Sequence, residues 1–430
     1  MDLSRSTYGD HAAGRTDAAV LVSDDAFLAR MVDVEVALTL AAGDAGAVEG
    51  TTAAQVAELL AGATMDAAEI GEAAVSGGNP AIPLVRQLKA VVNDAGLPVA
   101  AVHVGATSQD IIDTALVLCL RDALGVTLAT LDVLTGTLAD LAARERSTAT
   151  IGRTLGQQAV PTTFGLTAAG WLQQLDAAMT DLTRAVGLLP VQYAGAAGNL
   201  AASSPAGLRI HRALAERLGL PVTPVVWHTD RTPVARLGST LALVAGTVRK
   251  IAGDVVFLSA TEIGELREAA PGGSSAMPHK ANPAGAVAAD GYARRAVGYA
   301  GTLFEAMDGR MQRAAGAWHA EWQTVRDLAV VTDNAVTRLA ASLDGITVDR
   351  EAMARNLQFT GGAVLAEALS GIVGRAAVDS AVAEGRLGGL IEDARRDHGF
   401  SPDPADHTGH AAEMVDLILA DHSRRPQEQQ

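Results

Sequence analysis

The chain has 430 residues, a length typical of two or three structural units, and 49% of them are hydrophobic, which excludes a disordered or mucin-like protein. Aromatic residues make up only 3%, whereas roughly one residue in five is alanine, so closely packed helices are favoured over an all-β fold. The net charge of −16 and the lack of clustered Lys and Arg argue against a nucleic-acid partner.

Targeting and redox features are few. The single cysteine, Cys119, has no second cysteine with which to form a disulfide, and no Cys/His zinc spacing is possible. The polar stretch 1–14 lacks the basic and apolar regions of a signal peptide. No run approaches the roughly 18 apolar residues that a membrane-spanning helix needs. We therefore expect a cytoplasmic protein with no membrane partner.

The segment 103–110, HVGATSQD, has the composition of a helix N-terminus, because Thr107 or Ser108 followed by acidic residues caps a helix. A helix N-terminus also binds carboxylates through its free amides and its dipole. Beyond this point leucines recur at three- and four-residue spacing from Leu124 to Leu141. This stripe predicts one helix from about Asp110 to Arg146, longer than most globular helices.

A second long helix is predicted within the proline-free stretch 234–270, where an apolar stripe runs from Leu237 to Ile251. Such helices usually belong to bundles or oligomer interfaces. We expect an all-α fold with three helical domains and a central long-helix bundle. The domains are predicted at 1–110, 111–350 and 351–430, the second being the bundle.

Three short patterns have ordinary structural interpretations. Glu262, Glu265 and Glu268, three residues apart, predict a solvated helix face. Trp318 and Trp322, one helical turn apart, predict core packing. A tail cluster resembles a metal site, but a solvated tail is the better interpretation, and we expect no metal; its members are His398, Asp403, Asp406, His407 and His410.

The segment 272–283, GGSSAMPHKANP, is the most informative in the chain. Its glycines, hydroxyls and prolines predict a loop that can approach a ligand closely. Composition alone favours an ordinary polar loop between helices. It is not a P-loop, because no Ser or Thr follows Lys280 and the G-x-x-x-x-G-K spacing is absent.

This loop resembles the signature loop of the fumarase/aspartase superfamily, which includes adenylosuccinate and argininosuccinate lyases. The resemblance implies that Ser274, followed by Ser275, acts as the base at the carbon next to a substrate carboxylate. A serine hydroxyl is a poor base unless its surroundings activate it. Lys280 and the loop amides are implied to stabilise the alkoxide. Met277 and Asn282 are implied to line the site, with Asn282 holding either the loop or a substrate carboxylate.

Two further segments resemble the other active-site regions of this superfamily. In 103–110, the resemblance implies that Thr107 and Ser108 bind a substrate carboxylate, with His103 and Gln109 beside them.

In the third region, 152–161, the implied substrate-binding residues are Arg153, Thr154 and Gln157. Relatives that release an amine carry a proton-donating histidine after this threonine, but this chain has Leu155. Leucine cannot donate a proton, which argues against an adenylosuccinate lyase.

Leucine in place of this histidine is consistent with a resemblance to the branch of 3-carboxy-cis,cis-muconate cycloisomerases, which belong to aromatic degradation (the β-ketoadipate pathway). The reverse reaction of that branch expels a carboxylate. A carboxylate has a conjugate-acid pKa of about 4 and leaves without a general acid. Further resemblance to this branch lies in GNPAIPLV at 78–85, WHT at 227–229 with Arg231, GAWHAEW at 316–322 and DPADHTG at 403–409. It implies a small polycarboxylate substrate, no cofactor, and Arg153 and Arg231 as candidate carboxylate clamps.

Two alternatives stay open from the sequence. One is a fumarate-releasing lyase of the same superfamily that acts on a succinyl compound with an acidic leaving group. The other is a helical scaffold protein without activity, although such a relative need not retain Ser274, Lys280 and Asn282. The resemblance also implies a homotetramer whose active sites are shared between subunits.

Overall fold

The computed structural model describes residues 17–224 and 226–428, and within them helices dominate. The all-α fold class predicted from composition is confirmed. The α-helices of the described residues are α1 (Asp17–Leu21), α2 (Asp24–Asp44), α3 (Gly50–Ala61), α4 (Ala67–Ala74), α5 (Ala81–Asp94), α6 (Ser108–Arg144), α7 (Phe164–Gly187), α8 (Gly207–Leu218), α9 (Thr232–Leu258), α10 (Ala284–Glu305), α11 (Ala317–Leu343), α12 (Arg350–Leu357), α13 (Ala366–Val373), α14 (Arg375–Ala383), α15 (Leu387–His398) and α16 (Ala411–Glu428). The predicted lack of a signal peptide concerns residues 1–14, which lie outside this part of the chain.

Two small antiparallel sheets accompany the helices. One is the hairpin of β1 (Ala149–Thr154) and β2 (Gln157–Thr163), and the other pairs β3 (Leu266–Arg267) with β4 (Thr347–Val348). The hairpin, which carries the segment 152–161, is a feature that was not predicted from the sequence.

The chain divides into two compact units, each assembled from three separate stretches. The first unit comprises 1–129, 180–246 and 292–335, and the second comprises 130–179, 247–291 and 336–430. These units are defined by spatial contacts and do not follow the order of the chain. The three consecutive domains expected from the sequence stay a prediction.

Helix α6 has 37 residues, and its bounds lie within two residues of the predicted ones. The leucine stripe that predicted it is buried, as shown by Leu124, Leu131 and Leu138 at 0% exposure. Cys119, near its beginning, is also buried and makes no disulfide. The length of the helix is therefore explained by an apolar face that packs against the core along it.

Helix α9 is also confirmed, with its apolar stripe fully buried, but it ends at Leu258 and not near 270. Gly264, with φ +64°, donates to Ala260 O, and Glu265 N donates to Leu258 O, which closes the helix end. The predicted solvated helix face is therefore wrong. All three glutamates lie past the helix, and Glu265 and Glu268 are only 1% and 5% exposed, whereas Glu262 is exposed in a turn.

The C-terminal helices of the second unit share one apolar core with the hairpin, since Ile151 of β1 packs in the same cluster as Leu369 and Phe400. The histidine-rich tail is partly buried: His407 stacks on Phe400 with ring centroids 4.7 Å apart and contacts Ser401 O. Across the described ranges, no group of His, Cys, Asp and Glu has the arrangement of a metal site. Among the described residues, no helix combines the length and the apolar composition needed to cross a membrane.

Candidate functional site

Several hydrogen-bond donors lie together at the N-terminus of α6 in the first unit. Thr107 precedes the helix, and its backbone N–H donates to Asp110 Oδ2 at 2.9 Å, which caps the helix reciprocally. The Thr107 hydroxyl accepts a hydrogen bond of 2.8 Å from Nη2 of Arg313. A hydroxyl, a guanidinium and the first-turn amides beginning at Ser108 therefore meet at the positive end of a helix, where a carboxylate binds well.

Asp110 fixes this region to a neighbouring loop. Its two oxygens also accept hydrogen bonds from Ala194 N, Gly195 N and His228 Nε2, at 3.1, 2.9 and 2.8 Å. The carboxylate is 1% exposed, so its charge is compensated entirely by these donors. Asp110 thereby holds the start of α6 rigidly against the loop that contains Gly195.

The turn before α6 is tightly constrained. His103 has φ +62°, unusual for a bulky side chain, and its Nδ1 lies 2.6 Å from Oε1 of Glu35. Tyr193 donates its hydroxyl to Val104 O at 2.9 Å. At Gly105, with φ +63°, a Cβ would lie only 2.6 Å from Ser203 Cβ, so glycine is required there.

Two residues predicted to contact substrate are instead deeply buried. Arg231, 2% exposed, pairs with Asp113 and Glu321 and lies over the ring of Trp227. Gln109, 0% exposed, donates to Asp113 Oδ2 and to a backbone carbonyl. Both side chains hold the helices behind the site, so the geometry favours a structural role for Arg231 over that of a substrate clamp.

Of the two tryptophans in the segment 316–322 for which core packing was predicted, Trp318 is buried and Trp322 is half-buried. Trp318 is 3% exposed and donates Nε1 to Asp113 at 2.8 Å, and its ring centroid lies 4.7 Å from that of Trp322. His319, between them, contacts Gly78 O at 3.2 Å. Two of the recognised segments, 78–85 and 316–322, are therefore in contact within the first unit.

The segment 272–283 forms a closed loop in the second unit. Gly272 and Asn282 exchange backbone hydrogen bonds of 2.8 and 2.9 Å, and Asn282 Nδ2 donates to Gly273 O at 3.2 Å. Of the two roles predicted for Asn282, the structure thus shows that of holding the loop. Ser275, Met277 and Lys280 are exposed on it.

The Ser274 hydroxyl faces two backbone donors. Its Oγ accepts from Ala276 N at 3.4 Å and from Met277 N at 3.2 Å. These N–H groups lie where they would stabilise negative charge on the oxygen.

In the hairpin, Arg153 forms a two-pronged ion pair with Glu265, with N–O distances of 3.0 and 2.5 Å. Thr154 and Gln157 face each other at the exposed end of the strands. Between them, Leu155 and its neighbouring glycine both have positive φ, which is the conformation of a tight two-residue hairpin turn. The Leu155 side chain is fully exposed at this tip.

The predicted site residues fall into two groups, one in each unit. The first unit holds His103, Thr107, Ser108, Gln109 and Arg231, and the second holds Arg153, Thr154, Gln157, Ser274, Ser275, Met277, Lys280 and Asn282. Arg313 was not predicted from the sequence, although it lies three residues before the recognised segment 316–322. That proximity was the available signal.

A family model described as Lyase matches residues 32–298, more than half of the chain. The chain belongs to this lyase family and is an enzyme of the fumarase/aspartase superfamily, as its signature loop predicted.

Three individual proteins are similar to most of this chain. The chain is 41% identical over 352 residues to the 3-carboxy-cis,cis-muconate cycloisomerase of Bradyrhizobium diazoefficiens, covering 81% of this chain and 78% of that one. It is 40% identical over 371 residues to the nitrosuccinate lyase of Streptomyces davaonensis, covering 83% and 78%. Among solved structures, the 3-carboxy-cis,cis-muconate lactonizing enzyme of Pseudomonas putida superposes with a TM-score of 0.88 and 36% identity, over 96% of this chain and 98% of that one.

Proposed function

We propose that this enzyme interconverts 3-carboxy-cis,cis-muconate and 4-carboxymuconolactone. The observation that carries the proposal is Leu155 at the exposed hairpin tip, a position where the family resemblance implies a proton-donating histidine in relatives that release an amine. A reaction whose leaving group is a carboxylate has no need of that donor. The identity to enzymes named for this reaction supports the same substrate.

The proposed reaction transfers one proton and forms or breaks one bond between carbon and a carboxylate oxygen. In the lactonising direction, a substrate carboxylate oxygen adds to a double bond, and the electron pair moves towards a second carboxylate as an enolate-like species. The Ser274 hydroxyl then delivers its proton to the carbon next to that carboxylate. In reverse, the Ser274 alkoxide removes this proton, and the carbon–oxygen bond breaks to release the carboxylate. The amides of Ala276 and Met277 stabilise the Ser274 alkoxide, which takes up a proton from solvent to restore the hydroxyl after lactonisation and is formed by losing that proton to solvent before the reverse reaction.

Recognition of the trianionic substrate is assigned to local donors, because a chain with a net charge of −16 does not attract it as a whole. The donors are the first-turn amides of α6 with Thr107 and Ser108, His103, and the guanidinium of Arg313. Lys280 is the cation of the signature loop. In this proposal the donors stabilise the carboxylates on which negative charge accumulates, where electrostatic preorganisation contributes most.

We also propose that the active enzyme is a homotetramer in which one site takes residues from several subunits. Leu155 supports this, because a fully exposed leucine held at φ +50° is unfavourable in an isolated chain. A second copy of the chain that packs on this tip would bury the apolar side chain, and this gain would compensate for the unfavourable backbone conformation. Analytical ultracentrifugation should give a tetramer, and a stable monomer with full activity would contradict the proposal.

One assay tests the function directly. Purified enzyme is incubated with 3-carboxymuconate, and loss of the conjugated-diene absorbance is followed. We expect turnover by the wild type and little by Ser274→Ala. A folded wild-type protein that leaves the diene absorbance unchanged would rule out the proposed substrate.

A second candidate is a lyase that releases fumarate from a succinyl compound with an acidic leaving group. It is favoured by the relative named nitrosuccinate lyase, because nitrite, like a carboxylate, is a weak base and leaves without a general acid. It would use the same serine base and differ only in what departs. Incubation with nitrosuccinate, with fumarate and nitrite measured together, separates the two candidates.

A further inference from the structure

Glu35, in α2, is a carboxylate buried in an apolar environment. It is 0% exposed, and the neighbouring positions Met31, Val34 and Leu38 of the same helix are also 0% exposed. Oε2 is buried without a hydrogen-bond partner among the described residues, whereas Oε1 lies 2.6 Å from Nδ1 of His103. Burying a half-satisfied carboxylate is unfavourable, so an apolar side chain would stabilise the core better unless the pairing has a use.

The pairing controls which nitrogen of His103 is available. With Nδ1 bound to Glu35, only Nε2 is left for a ligand, and Nε2 bonds to no residue in the described parts of the chain. The side chain keeps 17% exposure, and its backbone lies in the left-handed region at φ +62°. Thr39, one turn after Glu35, donates to Ala101 O at 3.0 Å and so anchors the approach to the same turn.

Charged groups from three helices act on this ring. Burial lowers the pKa of His103, Glu35 of α2 and Asp110 of α6 raise it, and the exposed Lys89 of α5 lowers it slightly; the balance lies above the ordinary value. The ring is therefore held in its protonated form further into the neutral range than a free histidine. Nε2 then carries a proton that a carboxylate can accept.

We propose that Glu35 is a positioning residue, which orients His103 so that Nε2–H donates to a substrate carboxylate beside the N-terminus of α6. This inference rests on the proposed function for its substrate class. It requires no contact between Glu35 and the substrate, since the carboxylate acts only through the histidine.

Glu35→Gln tests the proposal, because the amide keeps the shape of the side chain and removes its charge. We expect KM for the tricarboxylate to rise about tenfold with kcat nearly unchanged. The alkaline limb of kcat/KM should move to lower pH by about one unit, because His103 then loses its proton more easily. A change in denaturation midpoint with KM and pH profile unchanged would mean a merely structural role and overturn the proposal.

A double variant checks that Glu35 acts through His103. If it does, Glu35→Gln should add almost nothing to the KM of His103→Gln. Additive effects would contradict the inference. As a matched control, Asp176→Asn alters another buried carboxylate that contacts a histidine, His422, and should leave KM and the pH profile as in the wild type.

Direct observation of the ring separates failure of this inference from failure of the proposed function. In wild-type protein with labelled histidine, NMR should show His103 titrating above its ordinary value and shifting when tricarballylate, a saturated tricarboxylate, is added. This result supports the positioning role even if 3-carboxymuconate is not turned over. A His103 whose pKa is not raised above the ordinary value, or that is insensitive to tricarballylate, overturns the proposal whatever the activity, and this measurement also decides the matter should Glu35→Gln not fold.

Discussion

Glu268 accepts a hydrogen bond of 2.9 Å from the backbone N–H of Ala286, so a buried carboxylate caps the helix that leaves the signature loop. The same side chain accepts from Gly285 N at 3.1 Å and from the Ser342 hydroxyl at 2.6 Å. A Cβ at position 285 would lie 3.0 Å from Glu268 Oε1, so the close approach depends on glycine. A residue before the loop thus fixes the helix that begins after it.

Replacing Glu268 with glutamine should lower the free energy of unfolding by about 1–2 kcal/mol, because the amide NH₂ cannot accept from a helix N-terminal amide. The shift in the urea denaturation midpoint measures it. Glu262→Gln, at an exposed position of the same segment, should change stability by no more than about 0.5 kcal/mol. Equal midpoints for the two variants would show that the cap is energetically unimportant.

Ser274→Ala should reduce kcat by about 10²- to 10⁴-fold, because the variant lacks the group that moves the proton. The denaturation midpoint should stay that of the wild type, since Ser274 is only partly buried and its hydrogen bonds stay within the loop. Ser423→Ala, an exposed serine of α16, is the control and should keep full turnover. Near-normal kcat in Ser274→Ala would remove Ser274 from the proposed chemistry.

The long helices could be predicted from sequence because their signal is local. Helix α6 needed only a leucine stripe and a polar N-terminal segment, and both ends fell within two residues of the prediction. The glutamates near 265 failed for the opposite reason. Their spacing matched a helix, but α9 had already ended at Leu258, and a turn that contains Gly264 in the left-handed region separates it from Glu265.

Roles of single side chains depend on partners far away in the chain, which spacing does not reveal. Arg231 was a reasonable clamp by resemblance, yet Asp113 and Glu321 occupy its guanidinium. Arg313 was missed because it lies just outside a recognised segment, although it contacts Thr107. The signature loop was identified because its chemistry is contiguous in sequence.

Arg231→Met should destabilise the protein by about 3–5 kcal/mol, because it leaves two buried carboxylates, Asp113 and Glu321, without their cation. Burial already raises the pKa of Glu321 above its usual range, and Arg231 opposes that rise. Urea denaturation measures the loss. Arg236→Met, at an exposed position of α9, should be close to neutral, and a similar midpoint for both variants would contradict a structural role for the buried cluster.

Arg313→Met should raise KM for a tricarboxylate substrate about 10- to 100-fold, with a smaller effect on kcat. One guanidinium nitrogen donates to Thr107 Oγ1, and Nε is buried without a partner among the residues described, so the group has donors in reserve beside the α6 N-terminus. Removing it takes both a cation and the hydroxyl's partner from that position.

Arg310→Met, three residues earlier and exposed, removes the same charge from the same segment and should leave KM unchanged. Steady-state kinetics for both variants across ionic strength gives the comparison, because a general field effect would fade with salt for both alike. A KM increase shared equally by the two would show that Arg313 acts only through net charge. An increase confined to Arg313→Met assigns the carboxylate contact to that guanidinium.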